Sequence, residues 1–524
     1  MHLDLYYCAL EGFREMINTQ FLIKNRQILR DVLALTIIYI LAHWMMLVLT
    51  GTFHDDWLSL FHDVQTKDIE GIESGRPYYS AIIELVWNLP GYGYRVLCFI
   101  TYYVSYLFLY FTVRETDRSD LYAPLVITLL VITLPINDAR VILANYPYAL
   151  GYSFFWVGCY VLFKDNCNVL HSPPRRCAAD LLFFCSFTLN SNLVMYGAVL
   201  LLFLKKAGMR SLFYYFELLL LPLIFYFGNR ILYPVYGAYE NYNAVTVDGL
   251  MRTIWLLPSS VMGTIQNILN SIRFAPWLLP IAILSIAVGF VTSRFWCIID
   301  KNINVQYVAF GLVVFLLGMF PYSLVRNGAP VDVVGIAGRD SIQIGVGIAI
   351  ILYYLPKKDL VPYCVSLVAC MGIWSFNVHY LDYQAEWYRQ IALQQHICSD
   401  SDLNLAGGNY VVNLSPKSKV GDTRFYTLSG LYASATQKKD VMLLNGQSDV
   451  SILKNHDMLE SIKSHYPMYS SYDTNDTQIR GVISFDCVIG YRDVLRYKVL
   501  ELRNDGTLES TLSTVGTYSY TNGW

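Results

Sequence analysis

From residue 33 to residue 377 the chain alternates long apolar runs with short polar stretches. A helix needs about 20 apolar residues to cross a hydrocarbon core about 30 Å thick. That yardstick predicts nine spans, over 33–50, 93–113, 121–136, 141–163, 212–231, 276–293, 305–325, 341–355 and 360–377. The stretch 181–204 (LLFFCSFTLNSNLVMYGAVLLLFL) breaks the pattern, with two shorter apolar blocks around Thr188-Leu189-Asn190-Ser191-Asn192. Arg175 and Arg176 precede it, and Lys205, Lys206 and Arg210 follow. Basic loops stay on the cytoplasmic side, so both flanks lie inside. This predicts a re-entrant pair of short helices over 181–204. Its turn must be covered by protein or water, because an unpaired backbone group in lipid costs several kcal/mol.

The remaining loops agree with that orientation. Arg114, Arg118, Arg294, Lys301, Lys357 and Lys358 fall inside, and the loops 51–92, 137–140, 232–275 and 326–340 fall outside. Residues 1–32 mix acidic and basic groups and form a cytoplasmic segment ahead of an uncleaved first span. An odd number of crossings then places 378–524 outside. There the apolar runs stop, a helix is predicted over 382–397, and strands over 409–414, 481–488 and 495–502. Nearly 150 residues suffice for a separate α/β core. The predicted architecture is a polytopic α-helical membrane domain over 33–377, followed by a soluble α/β domain on the non-cytoplasmic face.

Composition points the same way. The 524 residues are 55% hydrophobic and 15% charged, with mean hydropathy +0.38, whereas soluble proteins are about 25% charged. A net charge of -2 gives no footing for a nucleic-acid partner. Eleven cysteines form no CxxC pair; Cys398 and Cys487 could bridge if their compartment is oxidising.

The candidate chemistry sits in the first outer loop, which opens Gly51-Thr52-Phe53-His54-Asp55-Asp56-Trp57. Ionisable groups at a hydrocarbon boundary are costly and suggest function. Paired carboxylates raise the pKa of one member, which suits a general base. The alternative is a solvated loop or a helix cap with Trp57 anchoring at the interface. Further on, Ser74-Gly75-Arg76-Pro77 precedes an amphipathic stretch over 80–90, expected to lie flat with Ile82, Ile83, Val86 and Trp87 toward lipid. Arg76 would then meet a phosphate, or simply anchor on headgroups. Other outer loops hold Asn137, Asp138, Arg140 and Tyr146, then Arg326 and Arg339. Asp138 is a second candidate acid, and Arg76, Arg140, Arg326 and Arg339 are candidate phosphate ligands. His54, Trp57, Asn137 and Tyr146 are candidates for a substrate groove. Taken singly, each is more often a cap or an anchor; their common face favours an anionic lipid donor and a hydroxyl acceptor.

An acidic loop after span one, many spans, a re-entrant pair and an outer C-terminal domain resemble the GT-C superfamily of lipid-linked glycosyltransferases. Asp55-Asp56-Trp57, followed about twenty residues later by Ser74-Gly75-Arg76-Pro77, resembles the bacterial serotype-converting glucosyltransferases that decorate O-antigen. The resemblance implies a hexose such as glucose carried on polyprenyl phosphate, in a bacterial inner membrane with the site facing the periplasm. An acceptor hydroxyl of a lipid-linked or surface glycan would attack the anomeric carbon with inversion, Asp55 or Asp56 serving as base. Arginines would stabilise the leaving phosphate. No cofactor is required on this reading, although Mg²⁺ or Mn²⁺ could bridge carboxylate and phosphate. The chain holds no Walker motif and no GxGxxG opening a βαβ unit, as a lipid-linked donor would allow.

Two rivals predict other patterns. A transporter or flippase would carry mid-span charges and symmetric halves, yet Glu217 is the main charge within a span. A polysaccharide polymerase or ligase would centre on a late outer loop such as 232–275, which here could also be a partly helical flap.

Overall fold

A computed structural model describes residues 19–57, 71–87, 89, 93–118, 120–167, 172–236, 246–273, 278–295, 304–420 and 423–522. Helix α1 (Thr19–His43), with a further turn at Met45–Val48, begins well before the span predicted from residue 33. Part of the segment assigned to the cytoplasm is therefore helical, and residues 1–18 lie outside the described residues. There follow α2 (Pro77–Trp87), α3 (Gly93–Thr116), α4 (Ala123–Thr133), α5 (Tyr146–Cys167), α6 (Pro173–Ser186), α7 (Ser191–Tyr214) and α8 (Glu217–Leu232). The series ends with α9 (Val247–Ser271), α10 (Leu278–Phe295), α11 (Val305–Val325), α12 (Ile344–Tyr354) and α13 (Val361–Ser399). Among the described residues four helices are long and apolar enough to cross a membrane: α3, α7 over Ser191–Met209, α11 and α13. Shorter apolar helices, α4 and α12 among them, complete a polytopic helical bundle.

Local chemistry sets the helix starts. Asp120 accepts from the first N–H groups of α4 at 3.1 Å, Thr246 Oγ1 caps α9, and Asn304 caps α11. Helix α6 opens on two prolines, Pro173 and Pro174, where missing N–H groups do no harm.

The two ends of the bundle are chemically distinct. Groups assigned inside gather at one end: Tyr110 donates to Asp31 at 3.1 Å, Tyr353 to Asp120 at 2.9 Å and Tyr354 to Asp117 at 3.3 Å, while Lys205 lies over Tyr307. Groups assigned outside gather at the other, together with the C-terminal domain.

The pair at 181–204 is longer than expected. Helix α6 starts at Pro173, and α7 runs to Tyr214 with a break at Gly208 (φ 80°). Their turn touches outer-end groups: Ser191 accepts from Tyr322 at 2.8 Å, and Gln343 donates to Asn192. The short re-entrant loop is thus replaced by a hairpin that reaches the outer end. Asn192 is fully buried and donates to the carbonyls of Gly151 (3.1 Å) and Ser186 (2.9 Å), which supplies the cover such a turn requires.

Helix α2 occupies the amphipathic stretch but turns Ile83 and Val86 into protein and leaves Leu85 65% exposed, reversing part of the expected lipid face. The side chain of Trp87 lies outside the described residues.

The boundary at 377/378 falls inside α13, a single helix of 39 residues. Its polar second half finds partners instead of ending the helix. Asp382 accepts from Tyr491 at 2.9 Å, Gln384 pairs with Thr50, Gln390 accepts from Trp57 at 3.2 Å, and Glu386 pairs with Arg389 at 2.8 Å.

Beyond α13 a sheet of order β2-β1-β3-β4 is built from β1 (Gly408–Ser415), β2 (Val441–Asn445), β3 (Ile479–Asp486) and β4 (Thr517–Asn522). Strand β1 runs parallel to β2 and β3 (Tyr410 opposite Leu443, Val412 opposite Ile483), and β4 is antiparallel. Around it lie α14 (Phe425–Thr436), α15 (His456–His465), α16 (Tyr491–Arg503) and α17 (Thr507–Leu512). The predicted strand over 495–502 is α16: Val494 and Tyr497 are buried while Leu495, Val499 and Leu502 are exposed, a helical and not an alternating pattern. Cys398 is exposed, Cys487 is buried, and both are free thiols.

Candidate active site

The carboxyl ends of β1 and α13 bring the C-terminal domain down onto the first outer loop. The segment after β1 places the Val420 carbonyl 3.1 Å from His54 Nε2. His54 holds a left-handed backbone (φ 47°) and is buried, and that burial lowers its pKa. Its role is to pin the loop. Trp57 is also buried, in the core of the C-terminal domain with Tyr388 and Leu393, so it is neither an interface anchor nor a wall of an open groove.

Asp55 and Asp56 diverge from this pinned turn. Asp56 is 1% exposed, and its Oδ1 accepts from the Ala144 N–H at 2.9 Å. Burial raises its pKa to about 7, against the lowering effect of the backbone donors at 143–144. Asp55 keeps 26% of its side chain exposed; Tyr426 of α14 donates to Oδ1 at 2.6 Å, and Arg339 Nη1 stands 3.6 Å from Oδ2. Burial, then the neighbouring Asp55, push the Tyr426 pKa well up, so its phenol remains a donor.

Arg339 ties this carboxylate to further groups. It donates to Asn145 at 3.1 Å and lies over the Tyr148 ring at 5.2 Å. Arg76 donates to the same Tyr148, so that phenol sits between two guanidiniums. Asp340 lies 4.0 Å from Arg339 and accepts from Arg326 at 2.6 Å; Arg326 also binds Asp332 at 2.7 Å. Arg326 is thus committed to two carboxylates, Arg339 contacts Asp55, and Arg76 reaches the cluster through Tyr148.

Asn137, Asp138, Arg140 and Tyr146 stand apart from this cluster. Arg140 is buried, donates to the Asn137 and Ile136 carbonyls and Tyr106, approaches His43 at 3.1 Å, and is stacked between Tyr102 and Phe376. Its donors point into the bundle. Asn137 (φ 56°) donates to Tyr102 at 3.3 Å, and Tyr146 packs in the core beside Thr101. Asp138 is 2% exposed, 3.6 Å from His379 Nδ1, and burial raises its pKa to about 8. These four are buried among the bundle helices.

Sequence reading missed Tyr426, Asp340 and Tyr148. Asp340 and Tyr148 adjoin residues already singled out, but Tyr426 lies 371 positions from Asp55 and carries no local signal. Among the described residues no three His, Cys, Asp or Glu side chains converge to hold a metal ion.

No protein-family model matches the chain. No curated protein matches it either. Among solved structures it is similar to ArnT from Cupriavidus metallidurans, in the crystal structure bound to undecaprenyl phosphate, with 11% identity and a TM-score of 0.35 over 88% of this chain and 93% of that one. At that identity and score the functional case rests on this chain's own residues.

Proposed function

We propose that the protein is a membrane glycosyltransferase of GT-C type, which moves a hexose from a polyprenyl-phosphate carrier to a glycan hydroxyl at the outer membrane face. The observation that carries this reading is the half-exposed Asp55 carboxylate 3.6 Å from Arg339, with Arg76 joined to the same cluster through Tyr148. A base and cations for a leaving phosphate stand together at the mouth of the bundle. Asp55 takes the proton of the acceptor hydroxyl as the new C–O bond forms at the anomeric carbon. The bond to the phosphate oxygen breaks on the opposite side, and its electron pair leaves with the polyprenyl phosphate, stabilised by Arg339 and Arg76. Asp56 holds the 143–145 turn and is not the base. The acceptor is a cell-envelope glycan such as O-antigen, on the strength of the first-loop motif.

The test is transfer itself. Purified full-length protein, given radiolabelled polyprenyl-phosphate glucose and acceptor glycan, should transfer label to the acceptor. Asp55→Asn should lower the rate by on the order of 10²–10⁴ with the fold intact. Movement of the lipid across a liposome wall with no new bond, unaffected by Asp55→Asn, would establish a transporter instead.

A further inference from the structure

Helix α16 buries Val494 and Tyr497 in the C-terminal core. On its other side Leu495, Val499 and Leu502 follow one another at helical spacing and are 61%, 54% and 75% exposed. Val488, just before the helix, is 72% exposed. Arg492, Arg496 and Arg503, all exposed, fall along one flank of this stripe. An apolar stripe edged by arginines is the composition of a helix lying in a lipid–water interface.

The position of α16 supplies the partner. Thr50 lies just past Val48, the last residue of the turn that completes the first span, and Lys498 Nζ donates to Thr50 Oγ1 at 3.4 Å. Helix α16 also meets α13 where that helix leaves the bundle: Tyr491 donates to Asp382 and Tyr388 to Glu501, both at 2.9 Å. Between those contacts α13 climbs about 9 Å, while α16 covers about 15 Å. Helix α16 therefore packs beside α13 over residues 382–388, next to the end of the first predicted span.

We propose that α16 rests on the outer lipid surface, with Leu495, Val499 and Leu502 entering the acyl boundary and Arg492, Arg496 and Arg503 meeting lipid phosphates. The bilayer thereby holds the C-terminal domain against the bundle. This surface is independent of the sugar-transfer reading.

Photochemical labelling tests it in the full chain. The Val499→p-benzoylphenylalanine variant, in nanodiscs containing phosphatidylglycerol, should take up lipid mass on illumination. Asn475→p-benzoylphenylalanine, exposed near the start of β1 and away from the membrane loops, should take up about a tenth as much or less. Equal labelling at both positions, no lipid adduct at 499, or a chain-to-chain cross-link there in place of lipid would overturn the proposal; the last result would assign the stripe to a second copy.

Discussion

Asp55 and Asp56 are adjacent in sequence yet meet different surroundings: after the left-handed His54, Asp56 is buried while Asp55 stays partly exposed at the site. Tyr426 and Arg339 hold the two oxygens of Asp55 from different parts of the chain. Tyr426→Phe removes one of these without changing the size of the side chain. Turnover should fall about 10- to 100-fold with donor KM unchanged, since the phenol orients the base and does not bind the donor. A proportional rise in KM would instead assign Tyr426 to substrate binding. Asp138 offers a separate test by pH. Burial holds its proton up to about 8, against 3.8 for a solvated carboxyl. Its contribution to stability is full below pH 3.8, falls as pH rises through that interval, and is lost above about 8. Asp138→Asn, which needs no proton, should therefore show a flatter melting profile between about pH 4 and 8. Above pH 8 it should be more stable than wild type by up to a few kcal/mol.

At the scale of elements, close approach and buried amides decide which helices meet. A Cβ on Gly372 of α13 would stand 1.6 Å from the Thr133 carbonyl at the end of α4, so Gly372→Ala must push these helices apart. Loss of folded protein in detergent, read by size-exclusion chromatography, is the expected result. Asn192→Ala removes its bonds to the Gly151 and Ser186 carbonyls, takes the acceptor from the buried Gln343 amide, and should cost on the order of 2–3 kcal/mol in unfolding experiments. Hydropathy located the apolar helices, four of them among the described residues long enough to cross a membrane, because lipid leaves the backbone few options. It placed the break at residues 188–192 correctly but understated the hairpin, since the polar turn is paid for by partners on α5 and α12 that no local window contains. The same limit explains α16, where a short run of mixed apolar residues reads equally as strand or helix until burial chooses between them. Asp55 and Arg339 were legible as ionisable groups near predicted outer span ends, and Arg76 as a cation beside the amphipathic stretch of the first outer loop. Arg140 met the same criterion, yet its contacts with His43, Tyr106 and two carbonyls turn it into the bundle.

Across the whole molecule, the membrane part and the soluble domain share α13 and the first outer loop. Trp57 lies in the soluble core, and His465 of α15 meets Glu73 of the loop at 2.7 Å. Ala385→Pro would break α13 between its two halves, at a cost of about 3 kcal/mol or more. It should uncouple Tyr426 from Asp55 and reduce transfer at least as much as Tyr426→Phe, while lipid donor still binds; unchanged transfer would show that α13 need not be continuous.

An unbroken α13 also bears on how turnover can proceed. The soluble domain is carried on a stiff mast and cannot swing open like a hinged lid without bending 39 residues of helix. On the proposed reading, admission of a lipid-tethered molecule and departure of the spent carrier then fall to sideways passage between helices, beneath a roof that stays where it is.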